Sequence, residues 1–107
     1  MTQITPQELQ QWLADAGRKP PLLLDVREPW EYETCRIDGS TLVPMNAVPA
    51  WAQEFAPNAE TVVICHHGSR SFQVALFLER NGFPNLYNLQ GGVDAWAHQV
   101  EPAMPKY

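Results

Sequence analysis

Cations are few in this chain, cysteines fewer, and long apolar runs are missing. Seven lysines and arginines face twelve aspartates and glutamates, for a formal net charge of −5. Arg18, Lys19, Arg27, Arg36, Arg70, Arg80 and Lys106 are scattered and form no stripe. That excludes the basic face of a nucleic-acid binder and argues against docking on anionic lipid. No apolar run approaches the ~20 residues of a bilayer span. The opening MTQITPQELQ has neither the basic nor the apolar segment of a secretory signal. A soluble cytoplasmic protein is expected, with no nucleic-acid or membrane partner. The two cysteines, Cys35 and Cys65, do not suggest a structural disulfide in a reducing compartment, so at least one is a candidate for reactivity. The alternative is two small buried hydrophobes.

What is present is enough for one core. The 107 residues are 45% hydrophobic, which suits a single domain over 1–107. Helical and extended signals alternate throughout. ITPQELQQWLADAG opens with Thr5 as N-cap, Pro6 at the first helical position and Glu8 completing a capping box. Ile4 and Leu9 suit a hydrophobic staple; Leu9, Trp12, Leu13 and Ala16 share a face, and Gly17 is a natural stop. PLLLDV, STLVPM, TVVIC and NLYNL read as strands. EPWEYET reads as a brief helical turn, AVPAWAQEF as a short helix, and SRSFQVALFLERNG and VDAWAHQV as helices. Gly82 suits a left-handed helix end before Pro84, QGG a tight turn, and the proline-broken tail EPAMPKY irregular chain. This alternation predicts an α/β fold, a parallel sheet with helices on both faces.

The stretch CHHGSRS concentrates the chemistry. Cys65 ends an apolar strand and a helix begins a few residues later, at the sheet edge where α/β proteins bind ligands. Gly68 lets the intervening backbone turn its N–H groups inward, and the helix start and Arg70 add positive charge. Such surroundings lower a thiol from about 8.5 to roughly 3.5–7.5. His66, His67, Gly68, Ser69 and Arg70 would form the cradle, and Ser71 would support it. Asp25 ends its strand at the same edge and is expected to support the loop by hydrogen bonding or by pairing with Arg27. Arg27 has three options: Glu28, Asp25 or the substrate. A metal on Cys65, His66 and His67 is not expected, because three adjacent residues cannot easily direct ligands to one tetrahedral centre. His66 either tunes the thiol or is a plain loop residue. Trp30 and Trp51 are placed to wall a pocket mouth; Trp12 and Trp96 read as core.

At these residues the chain resembles a single-domain rhodanese, a sulfurtransferase. The loop from Cys65 to Arg70-Ser71, the segment LLLDVREPWEYETCRIDGSTLVPM and the close NLQGGVDAW match the family's three motifs in order, over about residues 3 to 98. The resemblance implies a five-stranded parallel sheet flanked by helices. It also implies transfer of a sulfane sulfur from a donor such as thiosulfate, through a Cys65 persulfide, to cyanide or a thiol, with no cofactor and possible protein acceptors. Cys35-Arg36 stands where the family has Gly-His, Asp38 where proline is frequent, and His66 where an arginine often follows the nucleophile. Two other classes compete. Cysteine phosphatases use a similar loop, but with five residues between Cys and Arg where this chain has four. Some rhodanese-like domains are non-catalytic binding modules or sulfur-relay partners, and those often lack the cysteine.

Overall fold

The structure, a computed structural model, describes residues 1–54 and 58–107. Five parallel strands run β1 (Thr2–Ile4), β2 (Leu22–Asp25), β3 (Thr41–Leu42), β4 (Thr61–Ile64) and β5 (Leu86–Leu89), in the spatial order β1-β5-β4-β2-β3. Five helices connect or follow them: α1 (Pro6–Ala14), α2 (Pro29–Thr34), α3 (Val48–Ala52), α4 (Ser69–Arg80) and α5 (Gly92–Gln99). A 3-10 turn, Met45–Ala47, precedes α3. Phe55, the last residue of the expected AVPAWAQEF helix, lies outside the described residues.

Alternation along the strands sorts the core onto the two sheet faces. Leu23, Val62, Ile64 and Leu89 pack with Leu9 and Trp12 of α1 and Val93 and Trp96 of α5. Leu24, Val63, Cys65 and Leu86 pack with Val48 of α3 and Val74, Ala75 and Leu78 of α4. Burial on both faces accounts for the continuous apolar runs in β2 and β4.

The local signals act as their chemistry requires. Thr5 accepts from the Glu8 N–H at 3.1 Å, and Glu8 returns the bond to the Thr5 N–H at 2.9 Å. Gly82, at φ +92°, ends α4: its N–H reaches the Glu79 carbonyl at 3.2 Å, and the Phe83 N–H reaches that of Leu78 at 3.1 Å. Two expectations fail. Gly17 is not the stop of α1 and has no left-handed backbone. Asp15 caps that helix, and its side chain takes the Gly17 N–H at 2.9 Å, so the chain turns on an aspartate before reaching the glycine. Leu13 is 38% exposed and Ala16 lies beyond the helix, so of the expected face only Leu9 and Trp12 are buried, with Pro6 beside them. The sequence patterning also passed over β1, whose three residues pair only with β5 and bury a single side chain, Ile4. No helix among the described residues is long and apolar enough to cross a membrane.

Candidate active site

β2 and β4 lie side by side with Asp25 opposite Ile64, so Asp25 and Cys65 leave the sheet at one edge. The chain then passes through His66 and His67 into α4. Two carbonyls fasten this passage. Cys65 accepts from the Val93 N–H at 2.9 Å and His66 from the Asp94 N–H at 3.0 Å, so the loop consumes the free N–H groups that open α5. Gly92 has φ +61°, and a side chain there would run into the Cys65 and His66 carbonyls. The loop therefore sits directly on the backbone of the QGG turn.

Gly68 supplies the sulfur's donor. At φ +100° its N–H turns inward and donates to Cys65 Sγ at 3.0 Å. Its carbonyl accepts from Asn88 Nδ2 at 3.1 Å and from the Phe72 N–H at 3.2 Å. Ser71, fully buried, stands 3.2 Å from Sγ through its hydroxyl, which also donates to Asn88 Oδ1. Asn88 is thus the keystone of the loop's inner side. Its amide is oriented by Gln3 Oε1 at 3.0 Å and by Gly68. Cys65 is 1% exposed, so the thiol lies beneath the loop. Ser69 is exposed on the first turn of α4.

Arg70 does not stand free on the rim. Its Nη1 and Nη2 donate to Glu31 Oε1 and Oε2, each at 2.8 Å. Glu31 Oε1 also takes the Glu28 N–H at 2.9 Å, closing a capping box at the start of α2. The Arg70 bonds hold the Glu31 carboxyl down at about 2 against burial, which would raise it. The Arg70 guanidinium is in turn held charged, first by Glu31.

Arg27 is buried completely, and Asp25 with it. Nε and Nη2 bond the Asp25 carboxylate at 2.9 and 2.7 Å. Nη2 also reaches the Cys35 carbonyl at 2.7 Å, and Nη1 the Glu31 carbonyl at 3.2 Å and the Tyr107 hydroxyl at 2.9 Å. These partners use all five guanidinium protons. Of the three options for Arg27, the structure shows the pairing with Asp25.

Tyr107 belongs to the tail, which is irregular as expected but returns to the site. Its hydroxyl accepts from Arg27 and donates to Glu31 Oε2 at 2.9 Å. Burial chiefly pushes this phenol up to about 12. The ring stacks on His66 at 3.9 Å and meets Trp30 edge-on at 5.5 Å. His66 is kept below its ordinary pKa, first by that burial and then by the neighbouring His67. Trp30 is 60% exposed beside this stack. Trp51 stacks on Phe83 at 6.1 Å, on the other face of the sheet, while Trp12 and Trp96 are core. Cys35 is a buried free thiol packed near Ile37.

His66, His67 and Asp94 each offer one metal-ligating atom, all within 4.8 Å of one another. The third ligand comes from α5, which the adjacency argument from sequence did not include. Around zinc the ligand bonds are about 2.0–2.1 Å, so these side chains would have to close in.

The sequence patterning named Cys65, the loop and Asp25. It missed Glu31, Asn88 and Tyr107. Glu31 had a faint signal in the Glu28-to-Glu31 capping spacing; Asn88 and Tyr107 had none, since both act across the fold.

Comparison with known proteins agrees with this geometry. The rhodanese-like domain family matches residues 5–99. A probable adenylyltransferase/sulfurtransferase MoeZ of Mycobacterium tuberculosis is 38% identical over 106 residues, covering 97% of this chain and 26% of that protein. A sulfurtransferase of Allochromatium vinosum is 32% identical over 102 residues, covering 95% and 94%. A crystal structure of a Staphylococcus saprophyticus protein superposes with a TM-score of 0.83 at 36% identity, covering 94% and 97%. The chain spans less than a third of the length of its multidomain relatives from Arabidopsis thaliana and Mycobacterium tuberculosis. With its parallel sheet, strand-end cysteine and family match over nearly its whole length, this chain belongs to the rhodanese-like domain family.

Proposed function

We propose that the chain works as one sulfurtransferase domain that carries a sulfane sulfur as a persulfide on Cys65. The Gly68 N–H aimed at Sγ from 3.0 Å carries this reading, because it can follow negative charge from the thiolate to the persulfide. In the first half-reaction the Cys65 thiolate attacks the outer sulfur of a donor. The donor's S–S bond breaks, and its electron pair leaves with the donor fragment, sulfite in the case of thiosulfate. In the second, a thiolate or cyanide attacks the terminal sulfur and the Cys65 thiolate departs. No electrons are gained or lost overall, and no metal or organic cofactor is required. The two steps make ping-pong kinetics.

His66, His67, Gly68, Ser69 and Arg70 frame the entering sulfur in this scheme. Ser71, Asp25 and Arg27 hold the frame. The free thiols suit a cytoplasmic setting. A relay role, handing sulfur to a protein thiol, fits the combined activities in the name of the MoeZ relative.

Intact-mass spectrometry after incubation with sulfane-sulfur donors tests the proposal. The protein should gain the mass of one sulfur atom on Cys65 and lose it to an added thiol. A folded Cys65→Ser variant should do neither, and sulfur turnover by that variant sinks the assignment.

A further inference from the structure

We infer that the donor suited to this site is the persulfide of an uncharged thiol, R–S–SH, rather than the thiosulfate dianion. This rests on the sulfur-transfer reading of Cys65 and concerns only what loads it.

The argument is one of charge near a buried sulfur. Arg27 and Arg70 are the guanidinium groups of the site. Arg27 is matched by Asp25 at 2.7 Å and has no donor left over. Arg70 is matched by Glu31 through two bonds of 2.8 Å. A third carboxylate, Asp94, stands 3.9 Å from His67 at the other side of the loop. Lys106, beside Tyr107 in the tail, turns its ammonium onto the Pro102 and Met104 carbonyls at 2.8 and 3.3 Å. Two guanidinium groups therefore meet three carboxylates, and Lys106, which lines one recess with His66 and Asp94, directs its ammonium to carbonyls. His66, under Tyr107, is held toward its neutral form.

Thiosulfate would bring two negative charges to a thiolate that is 1% exposed. Like charges at low dielectric repel strongly unless cations compensate them, and here both guanidinium groups are already paired. A persulfide brings at most one negative charge, and none in its protonated form. The Cys65 thiolate attacks the terminal sulfur, the donor S–S bond breaks, and its electron pair leaves as R–S⁻. The proton stays on the transferred sulfur, so charge and electrons balance. The single Gly68 N–H at Sγ serves the one charge that the Cys65 thiolate carries before it attacks. The exposed Trp30 edge and the Tyr107 ring offer the R group an apolar rim.

The test is rapid-quench mass spectrometry of the full chain at neutral pH, with thiosulfate and with freshly made N-acetylcysteamine persulfide at equal concentrations. Loading by the persulfide should be faster by about tenfold or more. Glu31→Gln, which leaves the Arg70 charge unmatched, should raise the thiosulfate-to-persulfide rate ratio roughly threefold or more. Asp94→Asn should move the ratio the same way from the other side of the loop, and it serves if the first variant does not fold. Equal or faster loading by thiosulfate overturns the inference and leaves sulfur transfer standing. An unchanged ratio in the folded variants overturns charge as its cause. No loading by either donor overturns the sulfur-transfer reading, and this inference with it.

Discussion

Glu31 grips Arg70 with both carboxylate oxygens, each bond 2.8 Å long, and so ties the first turn of α2 to the first turn of α4. Through the Tyr107 hydroxyl the same carboxylate reaches Arg27, and through Arg27 it reaches Asp25 at the end of β2. The residue that closes the sulfur loop is thereby linked to a fully buried ion pair.

Arg27→Ala and Arg70→Ala should fail differently. Removing Arg27 strands a buried Asp25 carboxylate, a cost of about 3–5 kcal/mol. Removing Arg70, whose side chain is 36% exposed, should cost about 1–2 kcal/mol, since solvent screens the pair from one side. Urea denaturation should therefore place the Arg27 variant well below the Arg70 variant. The Arg70 variant should fold and load sulfur about tenfold more slowly, because Glu31 is left unmatched beside the loop. The reverse order of midpoints would show that Arg27 does not anchor the site.

Acid should loosen this linkage at a defined point. The Glu31 carboxyl lies at about 2 in the folded chain against 4.5 for the ordinary group, chiefly through its hydrogen bonds to Arg70. A depressed folded value means that the stabilisation is complete above about 4.5. It is lost as pH falls toward about 2. Stability measured from neutral pH down to 2 should fall more steeply in the wild type than in Glu31→Gln, which has nothing to protonate there. Parallel slopes would mean that other carboxylates govern the acid transition.

Gly92→Ala should damage the sulfur loop without touching it chemically. The position combines φ +61° with space already filled by the Cys65 and His66 carbonyls, so a methyl must push the loop off α5. A loss on the order of 3 kcal/mol is expected, with impaired sulfur loading even below the melting transition. Gly39→Ala is the comparison: its φ of +83° is also left-handed, but nothing lies within 4 Å of the added methyl. Equal effects on loading would deny the loop-to-α5 contact its part.

Local chemistry made much of this fold legible. The Thr5–Glu8 capping box, the Gly82 helix end and the apolar β2 and β4 each carry their signal within a few neighbouring residues. Alternation of strands and helices gave the parallel sheet, and Cys65 followed by Gly68 and Arg70 gave the loop. The misses share a cause. β1 has three residues and one buried side chain, too short for any period to show. Asn88 reads as a strand residue and Tyr107 as loose tail, yet they meet Ser71 and Arg27 across 17 and 80 positions. Gly17 misled because Asp15 settles the turn two residues earlier.

Tyr107 should govern the titration of His66. The stacked ring, at 3.9 Å, buries the imidazole, and burial is the main reason its pKa is low. In Tyr107→Ala the His66 resonances should titrate at higher pH, nearer the ordinary histidine value of about 6.5. Tyr107→Phe keeps the stack and should leave His66 where it is, while giving up about 1–2 kcal/mol for the hydroxyl that bridges Arg27 and Glu31. A His66 that titrates alike in all three proteins would mean that the tail does not lie on the loop in solution.

The loop's length should bar it from phosphate chemistry. Four residues separate Cys65 from Arg70, and the backbone donor aimed at sulfur, Gly68 N–H, is already 3.0 Å from Sγ. That spacing suits one added sulfur atom. A transferring phosphoryl group spreads charge over three equatorial oxygens and needs a wider ring of donors. Arg70, which would have to reach those oxygens, is occupied by Glu31. The natural protein should therefore leave aryl phosphates intact while taking up sulfur. Inserting one glycine between Gly68 and Ser69 matches the longer phosphatase loop and draws the Gly68 donor away from Sγ. That variant should lose sulfur loading, and any phosphate it binds should be held weakly, since Glu31 still competes for Arg70. Steady-state assays on an aryl phosphate, beside mass spectrometry of sulfur uptake, decide the matter for both proteins. Phosphate-ester hydrolysis that depends on Cys65, without persulfide formation, would reverse the ranking of the two chemistries.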